Sequence, residues 1–84
     1  MKNIFLLKPV NGDLEHHPFI ETIRKVMQGY DYDIFMSHYP HHVEKIIKHY
    51  KEKARFYSVG GDGMLNQVIQ GLVGTNHELV VIPY

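Results

Sequence analysis

Cysteine and tryptophan are both absent from these 84 residues, and neither sign of charge is in excess. Without cysteine there is no disulfide and no thiolate metal site. Nine lysines and arginines balance nine aspartates and glutamates, so no overall field draws the chain to nucleic acid, and no nucleic acid partner is expected. Long hydrophobic runs are missing too. Ile4-Phe5-Leu6-Leu7 and Leu79-Val80-Val81-Ile82 fall far short of the roughly 20 apolar residues that cross a bilayer. The first of these runs, closed by Lys8-Pro9, is also too short for a signal peptide. The expectation is a soluble cytoplasmic protein. At this length it is at most one small domain with marginal burial.

The stretch around which the chain is organised is Ser58-Val59-Gly60-Gly61-Asp62-Gly63-Met64-Leu65-Asn66. An apolar run from Phe56 to Val59 stops at Gly-Gly-Asp-Gly. Leu65, Val68, Ile69 and Leu72 then recur at helical spacing. That is a strand, a tight turn and a helix start. The first amides of a helix have no partner within it, and the helix dipole is positive there. Glycines let the backbone approach a ligand, so the turn suits an anion, most naturally a phosphate. Strand-to-helix turns also carry Gly with an Asp N-cap for structural reasons alone. The double glycine exceeds what a cap needs, and Asn66 falls one turn after Asp62. Both favour the phosphate site.

In chain order, Ile4–Leu7 predicts a strand buried on both faces, and Lys8-Pro9-Val10-Asn11-Gly12-Asp13 a loop. Pro18 suits the first turn of a helix whose stripe is Phe19, Ile23, Val26 and Met27, with Gly29 as its C-terminal stop. Tyr32, Ile34 and Met36 alternate with Asp31, Asp33 and Phe35, predicting a second strand with one wetter face. Ser37-His38-Tyr39-Pro40 turns the chain into a helix carrying Val43, Ile46, Ile47 and Tyr50. The glycine turn and third helix follow, the latter ended by Gly74. Leu79–Ile82 predicts a fourth strand of the buried type.

Strict alternation with short connections predicts an α/β fold, a three-layer Rossmann-like parallel sheet with helices on both faces. The expected strand order is 2-1-3-4. It places the carboxyl ends of strands one and three side by side, at the switch point where such sheets bind ligands. A terminal strand with an uncovered edge is an aggregation hazard. The expectation is therefore the front portion of a longer protein, or a truncated form.

Gly60-Gly61-Asp62-Gly63-Met64-Leu65-Asn66-Gln67-Val68-Ile69-Gln70-Gly71-Leu72 resembles the diacylglycerol kinase catalytic domain signature, G-G-D-G-T-x-N-E-V-x-x-G-L. Lys8-Pro9-Val10-Asn11-Gly12 resembles the family's N-P-x-x-G loop, with lysine in the asparagine position. The resemblance implies an ATP-dependent lipid kinase that passes the γ-phosphoryl group to a diacylglycerol-like hydroxyl. It implies that Pro9, Gly12, Ser37, Gly60, Gly61, Asp62, Gly63, Met64 and Asn66 contact the nucleotide. Ser37 takes the place of a family threonine, and His42-Val43 that of the family's H-A or D-A pair. Asp62 is the candidate Mg²⁺ ligand, directly or through water, or else an organiser of its loop. Met64 departs from threonine and Gln67 from glutamate, which leaves backbone cradling intact.

The family's acid-base residue and lipid pocket lie in a second domain, so residues 1–84 alone are expected not to turn over. The implied partners are a nucleotide and a lipid at the membrane surface, with a homodimer considered for the full-length protein. Two alternatives stand beside this: an NAD kinase-like enzyme, which shares the G-G-D-G turn, and a non-catalytic nucleotide-binding module. Asn66, Val68, Gly71 and the ending Ile82-Pro83-Tyr84 favour the lipid kinases over the first.

Lys8 could lend charge to the phosphates, but a lysine at a strand end is ordinarily just solvated, and that is the expectation. The seven histidines are likewise expected to be solvated loop residues rather than metal ligands. Lys45, Lys48, Lys51, Lys53 and Arg55 are expected to form a solvated face, given the interspersed Glu44 and Glu52.

Overall fold

The computed structural model describes residues 1–8, 17–37 and 41–83. Strand and helix alternate within them: β1 (Lys2–Leu7), α1 (Ile20–Val26), β2 (Tyr32–Met36), α2 (His42–His49), β3 (Ala54–Gly60), α3 (Asp62–Leu72) and β4 (Glu78–Pro83). The four strands form one sheet in the order β2-β1-β3-β4, and every pairing is parallel. This is the expected α/β fold.

The order explains the layers. Crossovers between parallel strands are right-handed. The chain steps one way from β1 to β2, then reverses to reach β3 and β4. Reversal puts α1 on one face and α2 with α3 on the other. Two clusters of buried side chains follow. Ile4, Leu6, Val43, Ile47, Phe56, Met64 and Val68 pack under α2 and α3. Phe5, Leu7, Ile20, Ile23, Met27 and Val59 pack under α1. Successive β1 residues alternate between the clusters because strand side chains alternate faces.

Helix faces depart from the expected stripes in two places. On α1 the buried residues are Ile20 and Ile23, continued by Met27, while Val26 is 67 % exposed. The helix begins at Ile20 with Phe19 as N-cap, so Pro18 precedes it rather than entering its first turn. On α3 the buried residues are Met64, Val68 and Gly71, while Ile69 is 44 % exposed. Packing against α2 sets that face. A Cβ on Gly71 would lie 2.6 Å from Ile47 Cδ1 and 3.4 Å from Glu44 Cα. A larger residue would require Ile47 Cδ1 to move aside, so glycine eases the close crossing. On α2 the stripe of Val43, Ile46 and Ile47 is buried as expected.

β4 is not buried on both faces. Leu79 (37 %) and Val81 (48 %) are exposed. They pair with Phe56 and Ser58 and so look toward the α2–α3 side, where α3 lies over β3. Gly29, at φ 89°, supplies the left-handed turn after α1.

Polar groups buried in the sheet are mostly paired. Asn3 accepts from Tyr57 Oη at 2.8 Å and donates to Asp31 O at 3.2 Å. Two histidines are structural rather than solvated, contrary to expectation. His17 is buried, and its Nδ1 accepts the Phe19 amide at 3.1 Å. Half-buried His77 accepts the Ala54 amide at 3.0 Å and meets Phe56 edge-on.

Tyr50 donates to Asp33 Oδ2 at 2.7 Å. Burial and then that carboxylate raise its phenol pKa above the ordinary value. A proton held more tightly in the folded than the unfolded chain gives stability that is full below the unfolded pKa of about 10 and is lost above it. Stability is expected to fall as pH rises beyond about 10, and Tyr50→Phe should flatten that decline in urea unfolding at graded pH. An unchanged slope would assign the decline to other groups.

Candidate functional site

The sheet register brings the residues of the glycine turn to one edge. Leu7 pairs with Met36 on one side and Val59 on the other, so Ser37, Lys8 and Gly60 follow at the same level. Gly60 in turn pairs with Pro83. Neighbouring strands lie about 4.8 Å apart, so these residues line the carboxyl end of the sheet at the switch point between β1 and β3.

Gly60 ends β3 at φ 144°, a conformation side chains rarely adopt. A Cβ there would also sit 3.5 Å from Met64 Cβ. Gly61 is the N-cap of α3, and no side chain caps the helix. The Leu65 amide donates to Gly61 O at 3.2 Å. The amides of Asp62, Gly63 and Met64 therefore precede the helical ladder. With the dipole behind them they form an open anion-binding surface. Among the described residues, a Cβ on Gly61 would meet nothing within 4 Å.

Asp62 is the first helical residue and is exposed; it is not the N-cap. Its carboxylate suits the positive helix end. Asn66, one turn later, is also exposed. Met64 turns its side chain into the core and is fully buried. Its Cβ lies beside Gly60, and the rest of the side chain fills the core where the family motif has threonine. Gln67 is half-buried with its Oε1 unpartnered, and Ser58 Oγ beneath is also buried without a partner. An ionised glutamate in place of Gln67 would carry a charge into that setting at greater cost.

Ser37 is half-buried, and its amide donates to Leu7 O at 2.9 Å, which fixes it beside the end of β1. His42 opens α2. Pro9 and Gly12 lie outside the described residues. Lys8 is exposed as expected, but its Nζ lies 3.2 Å from where a Gly63 Cβ would be.

Among the described residues, no three His, Cys, Asp or Glu side chains gather to cage a metal. A single carboxylate, Asp62, suits Mg²⁺, an ion usually held by one or two carboxylates with phosphate oxygens and water. A groove of about 430 Å³ between α2 and β2 is lined by Asp33, Phe35, His42, Lys45, Ile46, His49 and Tyr50. We place the candidate site at the turn because amides bind phosphate along an open helix end without needing enclosure. No helix among the described residues is long and apolar enough to cross a membrane.

No curated protein matches the sequence. The family model for the diacylglycerol kinase catalytic domain matches residues 2–84, a span that takes in every strand, every helix and the glycine turn. The chain belongs to the diacylglycerol kinase catalytic domain family.

Proposed function

We propose that this chain is the nucleotide-binding part of a lipid kinase. The triphosphate of ATP lies against the first amides of α3, and the γ-phosphoryl group passes to the hydroxyl of a diacylglycerol-like lipid to give a phosphatidate-like product. The observation that carries this is the uncapped start of α3 at the switch point, in a chain of this family.

Phosphoryl transfer asks mainly for positioning and charge neutralisation. The amides of Asp62, Gly63 and Met64 donate to phosphate oxygens and fix where the tail lies. Ser37, two strands away, and Asn66, one turn along α3, flank the nucleotide. Asp62 holds Mg²⁺, directly or through water, and the bound ion neutralises phosphate charge. The base that takes the hydroxyl proton, and the lipid pocket, belong by resemblance to a second domain. Such an enzyme works at the cytoplasmic surface of a membrane.

Given ATP, the full-length protein is expected to phosphorylate a diacylglycerol in mixed micelles and to leave NAD untouched. Phosphorylation of NAD instead would replace the lipid reading. Asp62→Ala should lower turnover by about 100-fold or more, yet cost the fold about 1 kcal/mol or less, the size of one helix-dipole contact. Unchanged turnover would remove Asp62 from the mechanism.

A further inference from the structure

Two polar atoms are enclosed under α3 without a hydrogen-bond partner among the described residues, Ser58 Oγ on β3 and Gln67 Oε1 on the helix. Ser58 is only 1 % exposed. Standing two residues from Phe56 along β3, it points to the same face of the sheet, the one under α2 and α3. Gln67 lies between Met64 and Val68, at the flank of the buried side of α3. The two groups come to nearly the same level. A Cβ on Gly60 would lie 3.5 Å from Met64 Cβ, so the start of α3 sits over the end of β3, and the helix runs back against the strand. From that contact Ser58 is about 6.6 Å away along the strand. Gln67 is about 4.5 Å away along the helix.

A hydroxyl turns to suit any acceptor within reach, yet Ser58 does not bond to Gln67. A buried hydroxyl and a buried amide oxygen are costly when left unmade, and one water with polar partners on both sides satisfies such a pair. We infer that an ordered water lies between β3 and α3. It donates one proton to Gln67 Oε1 and shares a second hydrogen bond with Ser58 Oγ. Val81, the partner of Ser58 on β4, is 48 % exposed on this same face, so the water exchanges past the open side of β4 and not through the core. The bridge ties α3 to β3 about one turn behind the amides of Asp62, Gly63 and Met64.

The test is a high-resolution crystal structure of the protein, together with urea unfolding of Ser58→Ala, Gln67→Met and the double variant. Density for a water within about 3 Å of both Ser58 Oγ and the Gln67 side-chain amide is expected. Each single variant strands the group opposite, and should lower the folding equilibrium constant by about 5- to 30-fold. The double variant strands neither and should lower it no further than a single one does. A direct hydrogen bond between the two side chains, or no density between them, would overturn the bridge. So would single losses that simply add in the double variant, because the two groups would then act independently.

Discussion

Phe56→Ala is expected to remove about 3–5 kcal/mol of stability and to leave much of the chain unfolded at 37 °C. Phe56 is fully buried on β3, a central strand of the sheet. It packs with Ile4, Leu6, Val43 and Met64. It also meets Tyr50 and His77 edge-on, at centroid distances of 5.8 and 5.0 Å. Alanine would forfeit the transfer free energy of the ring, leave a cavity and break both ring contacts. A domain of this length has roughly 4–13 kcal/mol in total, at about 0.05–0.15 kcal/mol per residue. The loss is therefore a large share of the whole. Urea unfolding checks it: the midpoint should fall sharply with the slope little changed. A midpoint near the wild-type value would mean that the α2–α3 layer does not pack as described.

Gly61→Val should have the opposite signature, with the fold retained and the ligand lost. Gly61 sits at φ −93°, which any residue adopts, and among the described residues a Cβ there would meet nothing within 4 Å. The fold has no steric reason to object. The isopropyl group would stand at the entrance to the amides of Asp62, Gly63 and Met64, where phosphate oxygens must come within about 3 Å. Nucleotide affinity is expected to fall by about 100-fold or more, since several hydrogen bonds to a charged group are lost together. Parallel melting and ATP titration check this. Retained affinity would move the phosphates elsewhere.

The sheet order was legible because three short crossovers in a chain of alternating elements leave few topologies. The glycine turn was legible because its chemistry is local: three glycines and a carboxylate at a helix start mean much the same in any fold. Helix faces were not fully legible. Met64, Leu65, Val68, Ile69 and Leu72 form two overlapping stripes, and hydrophobicity alone does not choose between them. Gly71 chose by letting α2 approach, a packing effect absent from the periodicity. β4 was read as doubly buried from its apolar run, but exposure at a sheet edge depends on what α3 covers. His17 and His77 look like loop histidines in sequence; the acceptors they offer to Phe19 and Ala54 arise only once the chain is folded.

The most direct measurement of the central claim is a ¹H–¹⁵N spectrum of the protein titrated with ATP and Mg²⁺. Saturable shifts are predicted at the amides of Asp62, Gly63 and Met64, and the same titration of Gly61→Val should leave those amides unmoved. Shifts confined to the α2–β2 groove, with the start of α3 unperturbed, would contradict the account.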